Sequence, residues 1–506
     1  MSNANNPTKE LKVANYDETT SSITDNLKTS TLSDSTVAAI TTALSGSGDK
    51  VTVVELSTGN NSAATNKALA NVDVATTSGG NITVSKDAQI ENLAAIIVSD
   101  DKPTNIRINN DSFDGTVVLG DGNSSVVLTT TKDVTVETGA GDNKVTTGSG
   151  GDAIVVKGGG DNTVKSGAGD DKISISSGGG NTVVDGGSGK NNELSVNTTG
   201  TSVVTIDSKG AIAIKTGDGG AVSATHIQTI DFSAGKVNVD ASASKTALNV
   251  VTGNGADSVN LGSGRDSIVL AGGNDSVNTG AGNDKLEIAD GFKGKAIIDG
   301  GTGTNELSVS GVRTIGSTTT ATTSSNAAIS GDGKAVVDSS TTTSTTVESL
   351  VIKMDNGATI NATNFLALVL GDDAVSVNVS KSTSALNVIS GAGNDSISLG
   401  AGKDSITLSG GKDTINTGAG IDTIKLAADY AGTATTKLDG GEGKDKLDLS
   451  AVAIKSVNVS GAVVKITLDS GAKVEATNIE SFVYDSNGDV AGGIQTVGVA
   501  AINSSF

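Results

Sequence analysis

Four nine-residue repeats in unbroken succession occur twice in this chain, and nothing else in it restricts the backbone as tightly. Residues 252–287 divide into TGNGADSVN, LGSGRDSIV, LAGGNDSVN and TGAGNDKLE. Residues 390–425 divide into SGAGNDSIS, LGAGKDSIT, LSGGKDTIN and TGAGIDTIK. An acid recurs at one phase of every repeat: Asp257, Asp266, Asp275 and Asp284, then Asp395, Asp404, Asp413 and Asp422. An aliphatic follows two residues later: Val259, Ile268, Val277 and Leu286, then Ile397, Ile406, Ile415 and Ile424. A more degenerate run covers about 138–185, with Asn143, Asp152, Asn162, Asp171 and Asn181 at the acid phase and one extra residue near Val156. Fixed short periods are the mark of a solenoid, in which each repeat buries its apolar face only against its neighbours.

The pattern G-G-x-G-x-D-x-U-x has a physical logic. Its glycines, among them Gly253, Gly255, Gly262, Gly264, Gly391, Gly393, Gly400 and Gly402, turn the chain through dihedrals that residues with a Cβ resist. The next three residues are extended, so the aliphatic points inward, and the residue two positions on shares its face. Leu261, Leu270, Leu399 and Leu408 occupy that position. Two repeats then make one coil of a flattened right-handed roll with a thin aliphatic core. Turns stack every second repeat, which pairs Asp257 with Asp275, Asp266 with Asp284, Asp395 with Asp413, and Asp404 with Asp422. Such a core is too thin to order a glycine-rich chain unaided. Calcium, a hard cation taking six to eight oxygens, fits two stacked carboxylates plus turn carbonyls, and this repeat is a calcium-binding β-helix pattern. The expected ligands are these eight acids, the eight glycines through their carbonyls, and Asp152, Asp171 and Asp445. Asparagine lowers the ligand charge in the first run, so weaker sites, or none, are expected there. Without metal the stacked acids repel, and the rolls are expected to be disordered.

Composition removes most other functions. Among 506 residues there are no Cys and no Trp, and His226 is the single histidine, so disulfides, thiolate chemistry and any two-histidine metal site are excluded. The net charge of −21 disfavours nucleic acid and anionic membrane surfaces and attracts cations. No stretch is apolar enough for a transmembrane segment. The N-terminal residues lack the pattern of a cleaved secretory signal, so the chain is expected to stay in the cytosol or to leave by another route.

Each run closes on a similar coda: DGGSGKNNEL at 185–194, DGGTGTNEL at 299–307 and DGGEGKDKL at 439–447. A short apolar string recurs as Ile90-Glu91-Asn92-Leu93, Ile227-Gln228-Thr229-Ile230, Val347-Glu348-Ser349-Leu350 and Ile479-Glu480-Ser481-Phe482. The expected class is all-β, with parallel β-roll modules, strand-rich spacers and a small, partly helical N-terminal region. The boundaries are an N-terminal region at 1–80, for anchoring or assembly, and a solenoid with the degenerate run at 81–195. A spacer follows at 196–246, then a roll at 247–311, a spacer with a Thr/Ser tract at 312–384 and a second roll at 385–451. A C-terminal β segment occupies 452–506. One helix is expected over Asp34–Leu44, capped by Ser33 or Asp34 and stopped by Gly46.

The two regular runs resemble the RTX repeats of Gram-negative proteins exported by type I secretion, over somewhat more than a hundred residues once the degenerate run is included. The resemblance implies repeats that stay unfolded in a low-calcium cytosol and fold outside, with an uncleaved C-terminal export segment; the tail VAGGIQTVGVAAINSSF is similar to such segments. It does not fix an activity. The H-E-x-x-H of RTX proteases needs two histidines, and the G-x-S-x-G of RTX lipases does not occur. His226 is expected to be a strand residue. Carboxylate-only sugar chemistry stays open, though the chain lacks the Trp that forms sugar platforms. The acidic, Cys-free composition is similar to that of surface-layer proteins, some of which carry RTX repeats. The expectation is therefore a non-enzymatic, calcium-dependent extracellular protein that assembles with copies of itself at the cell surface, with cell-surface polysaccharide as a further candidate partner. The alternatives are a calcium-rigidified adhesin and, less favoured, an ice-binding module.

Overall fold

The structure is a computed structural model, described here for residues 17–19, 33–44, 50–56, 66, 68–176, 179–197, 199–232, 235–310, 312–323, 328–329, 335–336, 344–354, 357–432, 434–485 and 494–498. It is nearly all β, built of parallel solenoid coils, as the repeats require. The chain forms two compact units, 1–253 and 254–506.

In the first unit one parallel sheet runs through Val74–Thr77, Ala95–Val98, Thr116–Val118, Thr135–Glu137, Ala153–Val156, Lys172–Ser176, Glu193–Asn197, Thr229–Asp231 and Asn249–Val251. The second sheet takes the intervening strands, from Gly80–Val84 and Thr104–Ile108 to Asn162–Lys165 and Asn181–Asp185. Alternate residues of both are buried: Val145, Ile154, Val164, Ile173 and Val184 are all within 1% of full burial. The coil step varies in this unit and is 19 residues within the degenerate run at Lys144↔Thr163 and Ala153↔Lys172.

The second unit repeats the plan with a step of 18 residues in both nonapeptide runs, as in Ser258↔Ser276, Ser267↔Lys285, Ser396↔Thr414 and Ser405↔Thr423. The inward aliphatics and the four leucines expected beside them are buried. Close stacking is what demands glycine. Gly280 and Gly418 have φ near +90°, and a Cβ on either would lie 2.1 Å from the carbonyl oxygen of Gly262 or Gly400 in the coil before.

Spacers enter the second sheet as antiparallel insertions. Ala221–Thr225 pairs parallel with Asn181–Asp185, and Lys236–Asp240 pairs parallel with Thr201–Ile206; Ile212–Lys215 runs antiparallel between the two pairs. In the second unit Ser344–Met354 lies antiparallel between Val312–Thr323 and Thr359–Thr363, and Val463–Leu468 between Ile454–Ser460 and Lys473–Thr477. This corrects the recurring string. Val347–Leu350 belongs to an antiparallel insertion, and Phe365–Leu368 takes the place equivalent to Ile227–Ile230 and Ile479–Phe482. At the N-terminal copy the equivalent residues begin at Leu93 rather than Ile90, because Ala94 and Ala95 donate to the carbonyl of Asp73 as Gln228 and Thr229 donate to that of Asn192.

The helix spans Asp34–Leu44 as expected, with the first helical bond from Val37 N–H to Ser33 O; Gly46 lies outside the described residues. Its Ile40 and Leu44 pack with Val53, Val74, Ala94, Ala95, Ile97 and Val118. That cover explains why all four residues of Val74–Thr77 and of Ala95–Val98 are buried instead of alternating. Ser33 donates its N–H (3.0 Å) and hydroxyl (2.6 Å) to Glu137, which also pairs with Lys157. Nothing in the sequence pattern singles out that buried acid.

Candidate metal centre

The acid-phase residues stand where each glycine turn delivers the chain into a strand, and consecutive coils bring them together as ladders along the coil edges. In every pair the carboxylate of the later coil accepts the main-chain N–H of the earlier one. Asp257 donates to Asp275 Oδ1 (2.9 Å), Asp266 to Asp284 (2.9 Å), Asp395 to Asp413 (3.0 Å) and Asp404 to Asp422 (2.8 Å). The four pairings drawn from the repeat are therefore neighbours in space. Asp152 and Asp171 form the same step at 2.8 Å in the first unit. The ladders also extend past the nonapeptides, through Asp422 N–H to Asp445 Oδ1 (2.8 Å) and Asp445 N–H to Glu480 Oε2 (2.7 Å).

One oxygen of each carboxylate is thus used, and the other decides the chemistry. The Oδ2 atoms of Asp152, Asp171, Asp275, Asp284, Asp395, Asp413, Asp422 and Asp445 are buried and receive no hydrogen bond. The residues themselves are at most 3% exposed. A buried acceptor without a donor costs free energy, and a buried charge costs more. Burial accordingly pushes Asp152, Asp275 and Asp413 up to about 7 and Asp395 up to about 6. It raises Asp171, Asp422 and Asp445 as well. The turns that carry these acids stack glycine over carbonyl: Gly255, Gly264, Gly393 and Gly402 sit beneath Gly273, Gly282, Gly411 and Gly420 of the next coil, their carbonyl oxygens facing them. Gly262 and Gly400 accept the N–H of Ala281 and Ala419. Gly391 lies over the carbonyl of Gly371 in the same way, and Gly253 is buried.

Asparagine at the same phase does what an acid cannot. Asn143 accepts the N–H of Ser124 through Oδ1, and its Nδ2 donates to the carbonyls of Gly139 (3.2 Å) and Gly141 (2.6 Å). Asn162 accepts from Asn143 and donates to Gly160. Where a ladder ends in a hydroxyl, that too brings a proton: Ser124 Oγ donates to Gly122, and Thr436, bonded by Asp413 N–H, also receives the Tyr430 hydroxyl. Asn, Ser and Thr bring a donor to the turn, whereas Asp leaves a buried acceptor without one, a need that a cation can meet. Among the described residues no three His, Asp or Glu side chains converge as a metal-binding group.

Two sequence expectations need correction. Asn181 is exposed, and Thr182, paired with Asn162, takes the buried acid-phase place. A further residue has entered the loop before it and shifted the register, so Val184 rather than Val183 points inward. His226 lies one residue beyond a strand, with φ +58°, and its Nδ1 is 2.7 Å from Asp185 Oδ1, a contact that holds the Asp185 carboxyl below its ordinary range. Asn364 on Asp299 and Asn478 on Asp439 repeat this corner at 2.6 and 2.7 Å, both with positive φ. His226 is thus a turn residue with a structural partner.

The family model for the RTX calcium-binding nonapeptide repeat (4 copies) matches residues 251–286 and 389–424. These two runs are RTX repeats. RTX nonapeptides bind calcium, so Ca2+ is the cation of this chain's repeats. The match covers the two runs with an acid at every step and leaves out the asparagine-bearing run and Asp445. No curated protein matches the chain. Among the described residues no helix is long and apolar enough to cross a membrane.

Proposed function

We propose that this chain is an extracellular structural protein whose RTX coils order on binding calcium and which then assembles with copies of itself as a surface layer or matrix. The observation that carries the calcium dependence is the row of buried Asp oxygens that lack a donor, set against Asn turns of the same shape that have one. In this reading the stacked pairs Asp257/Asp275, Asp266/Asp284, Asp395/Asp413 and Asp404/Asp422 hold the ions with turn carbonyls, and Asp152/Asp171 forms an equivalent pair in the first unit. The chain's own part is to bring those oxygens together and keep water from them. Calcium supplies the positive charge that the turns lack.

Assembly follows from the same chemistry. A chain carrying −21 repels its copies, and bound calcium both stiffens the coils and offsets that charge. Export by the type I route fits repeats that order only where calcium is plentiful. Electron microscopy and light scattering of the purified protein test the reading. Small soluble species in chelator should give sheets or filaments in millimolar calcium, and sodium chloride at equal ionic strength should not replace calcium. Monomers throughout a calcium titration would refute assembly and leave a calcium-rigidified adhesin as the function.

A further inference from the structure

Of the antiparallel insertions in the second sheet, the one between the two RTX runs is longer than its place requires. In the first unit the pairing of Thr201–Ile206 with Ile212–Lys215 ends at Ile206↔Ile212, and residues 207–211 close the turn, Lys209 and Ala211 donating their N–H groups to Asp207. Neighbouring strands accompany both sides of that hairpin: Lys236–Asp240 runs beside one as far as Thr205, and Ala221–Thr225 runs beside the other. Near the C-terminus, Ile454–Ser460 and Val463–Leu468 are joined by Gly461 and Ala462 alone. The middle insertion departs from this plan. Its strands Val312–Thr323 and Ser344–Met354 stay paired from Val312↔Met354 out to Thr323↔Ser344. Their neighbours stop sooner: Ser376–Asn378 reaches only Gly316 on one side, and Thr359–Thr363 only Ser349 on the other. The five pairs from Thr319↔Glu348 to Thr323↔Ser344 lie beyond both. Among the described residues no third strand accompanies them on either edge.

A lone two-stranded ribbon is marginal in water, and its edges offer backbone N–H and C=O groups to any strand that meets them. The usual protections are missing here. Residues 318–347 contain no Pro, and their only charged residues are Asp332, Lys334 and Asp338, a net −1 in a chain of −21. The strand 318–323 reads TTTATT, uncharged and made mainly of a residue that favours strands. Laid antiparallel against its own copy, it opposes no like charges. Five pairs extend about 15 Å at roughly 3.4 Å per residue. That exceeds the Debye length of about 8 Å at physiological salt, so a contact at the ribbon joins two copies where the repulsion of their acidic coils is screened. The base of the ribbon is tied to both runs. Thr359–Thr363 pairs with Lys295–Asp299, itself paired with Gly273–Asn278 of the second run, and Ser376–Asn378 pairs with Ser396–Ser398 of the third.

We propose that this ribbon is the arm by which copies of the chain join: strand 319–323 pairs antiparallel with the same strand of a second copy about a two-fold axis, and the two ribbons make one four-stranded sheet. The proposal deepens the assembly reading above and rests on it. Calcium enters through the base, since the hairpin is held from both sides only when the coils of both runs are ordered. Sedimentation velocity in millimolar calcium compares the natural chain with a shortened one, in which the turn sequence of 207–211 replaces 319–348. Two charged variants, Thr320→Glu with Thr322→Glu and Thr320→Lys with Thr322→Lys, are measured alongside. Circular dichroism and calcium uptake by equilibrium dialysis should match the natural chain in all three, because no run is altered. Each variant alone should need at least about tenfold more protein to associate. Mixed in equal amounts, the Glu and Lys variants should associate as the natural chain does, which a misfolded arm would not allow. A shortened chain that associates like the natural one, or a mixture no better than its components, overturns the arm and leaves assembly standing. A natural chain that stays monomeric in calcium overturns the assembly reading itself.

Discussion

Replacing Asp413 with Asn changes one atom at the centre of the third run and should reverse in sign with calcium. In the structure Asp413 accepts the Asp395 N–H through Oδ1, and its Oδ2 is buried with no donor. Burial moves its carboxyl from the ordinary 3.8 up to about 7. Charging such a group at pH 8 costs roughly 4 kcal/mol, at about 1.4 kcal/mol per tenfold in the proton equilibrium. The amide removes that cost and, if it donates to the turn as Asn143 does, adds about 1 kcal/mol. In chelator, with an excluded osmolyte to populate the coils, exchange of the amides in Thr414–Asn416 should slow by about a thousandfold. In calcium the variant should instead need more metal to reach the same β signal by circular dichroism, because an amide is a poorer ligand than a carboxylate. If exchange in chelator is unchanged or faster, Oδ2 is not the unmet acceptor described here and the argument from buried oxygens fails.

Acid should imitate calcium in part. Asp152, Asp275, Asp395 and Asp413 have folded values raised to about 6–7, so their contribution is full below about pH 4 and is lost as pH rises through 6–7; chelated protein should show more β signal at pH 5 than at pH 8. Asn143→Asp removes the donors to Gly139 and Gly141, and should lower urea stability of the first unit by about 1–3 kcal/mol in chelator, with calcium restoring part of it. Gly418→Ala places a Cβ 2.1 Å from Gly400 O at φ +91° and should cost about 3 kcal/mol or more even at saturating calcium, read as a fall in the urea midpoint. Ser33→Ala removes one of the two bonds to Glu137 and should speed exchange of the helix Asp34–Leu44 while leaving Ser405–Gly410 unchanged.

Much of this was legible in the sequence because an 18-residue coil writes itself as two nines. The acid pairs, the inward aliphatics and the leucines beside them followed from period and phase alone. What escaped was whatever departs from the period. In the first run the step is 19 residues from Lys144 to Thr163 but 20 from Asn162 to Thr182, which moved the buried place from Asn181 to Thr182. Asp413 to Thr436 is a step of 23, so the ladder's hydroxyl end falls out of phase with the motif, whereas Asp445, also 23 residues beyond Asp422, was legible through the pattern of its coda. The insertions lengthen the return path without changing local composition, which hid the equivalence of Phe365 with Ile227 and Ile479. Counting the partners of one buried oxygen was needed to see that Asn is no weakened Asp but a turn that brings its own donor.

In the first unit the acid-phase place is neutral along one edge, at Ser124, Asn143 and Asn162, while the opposite edge carries Asp152 and Asp171 before Asn192. Stripping calcium should therefore loosen that unit on one side only, so that its coils swing open about the asparagine edge like pages about a spine. Refolding from such a state needs no search for register, since every coil is still bound along the other margin, and recovery on readdition of metal should be fast and independent of chain length.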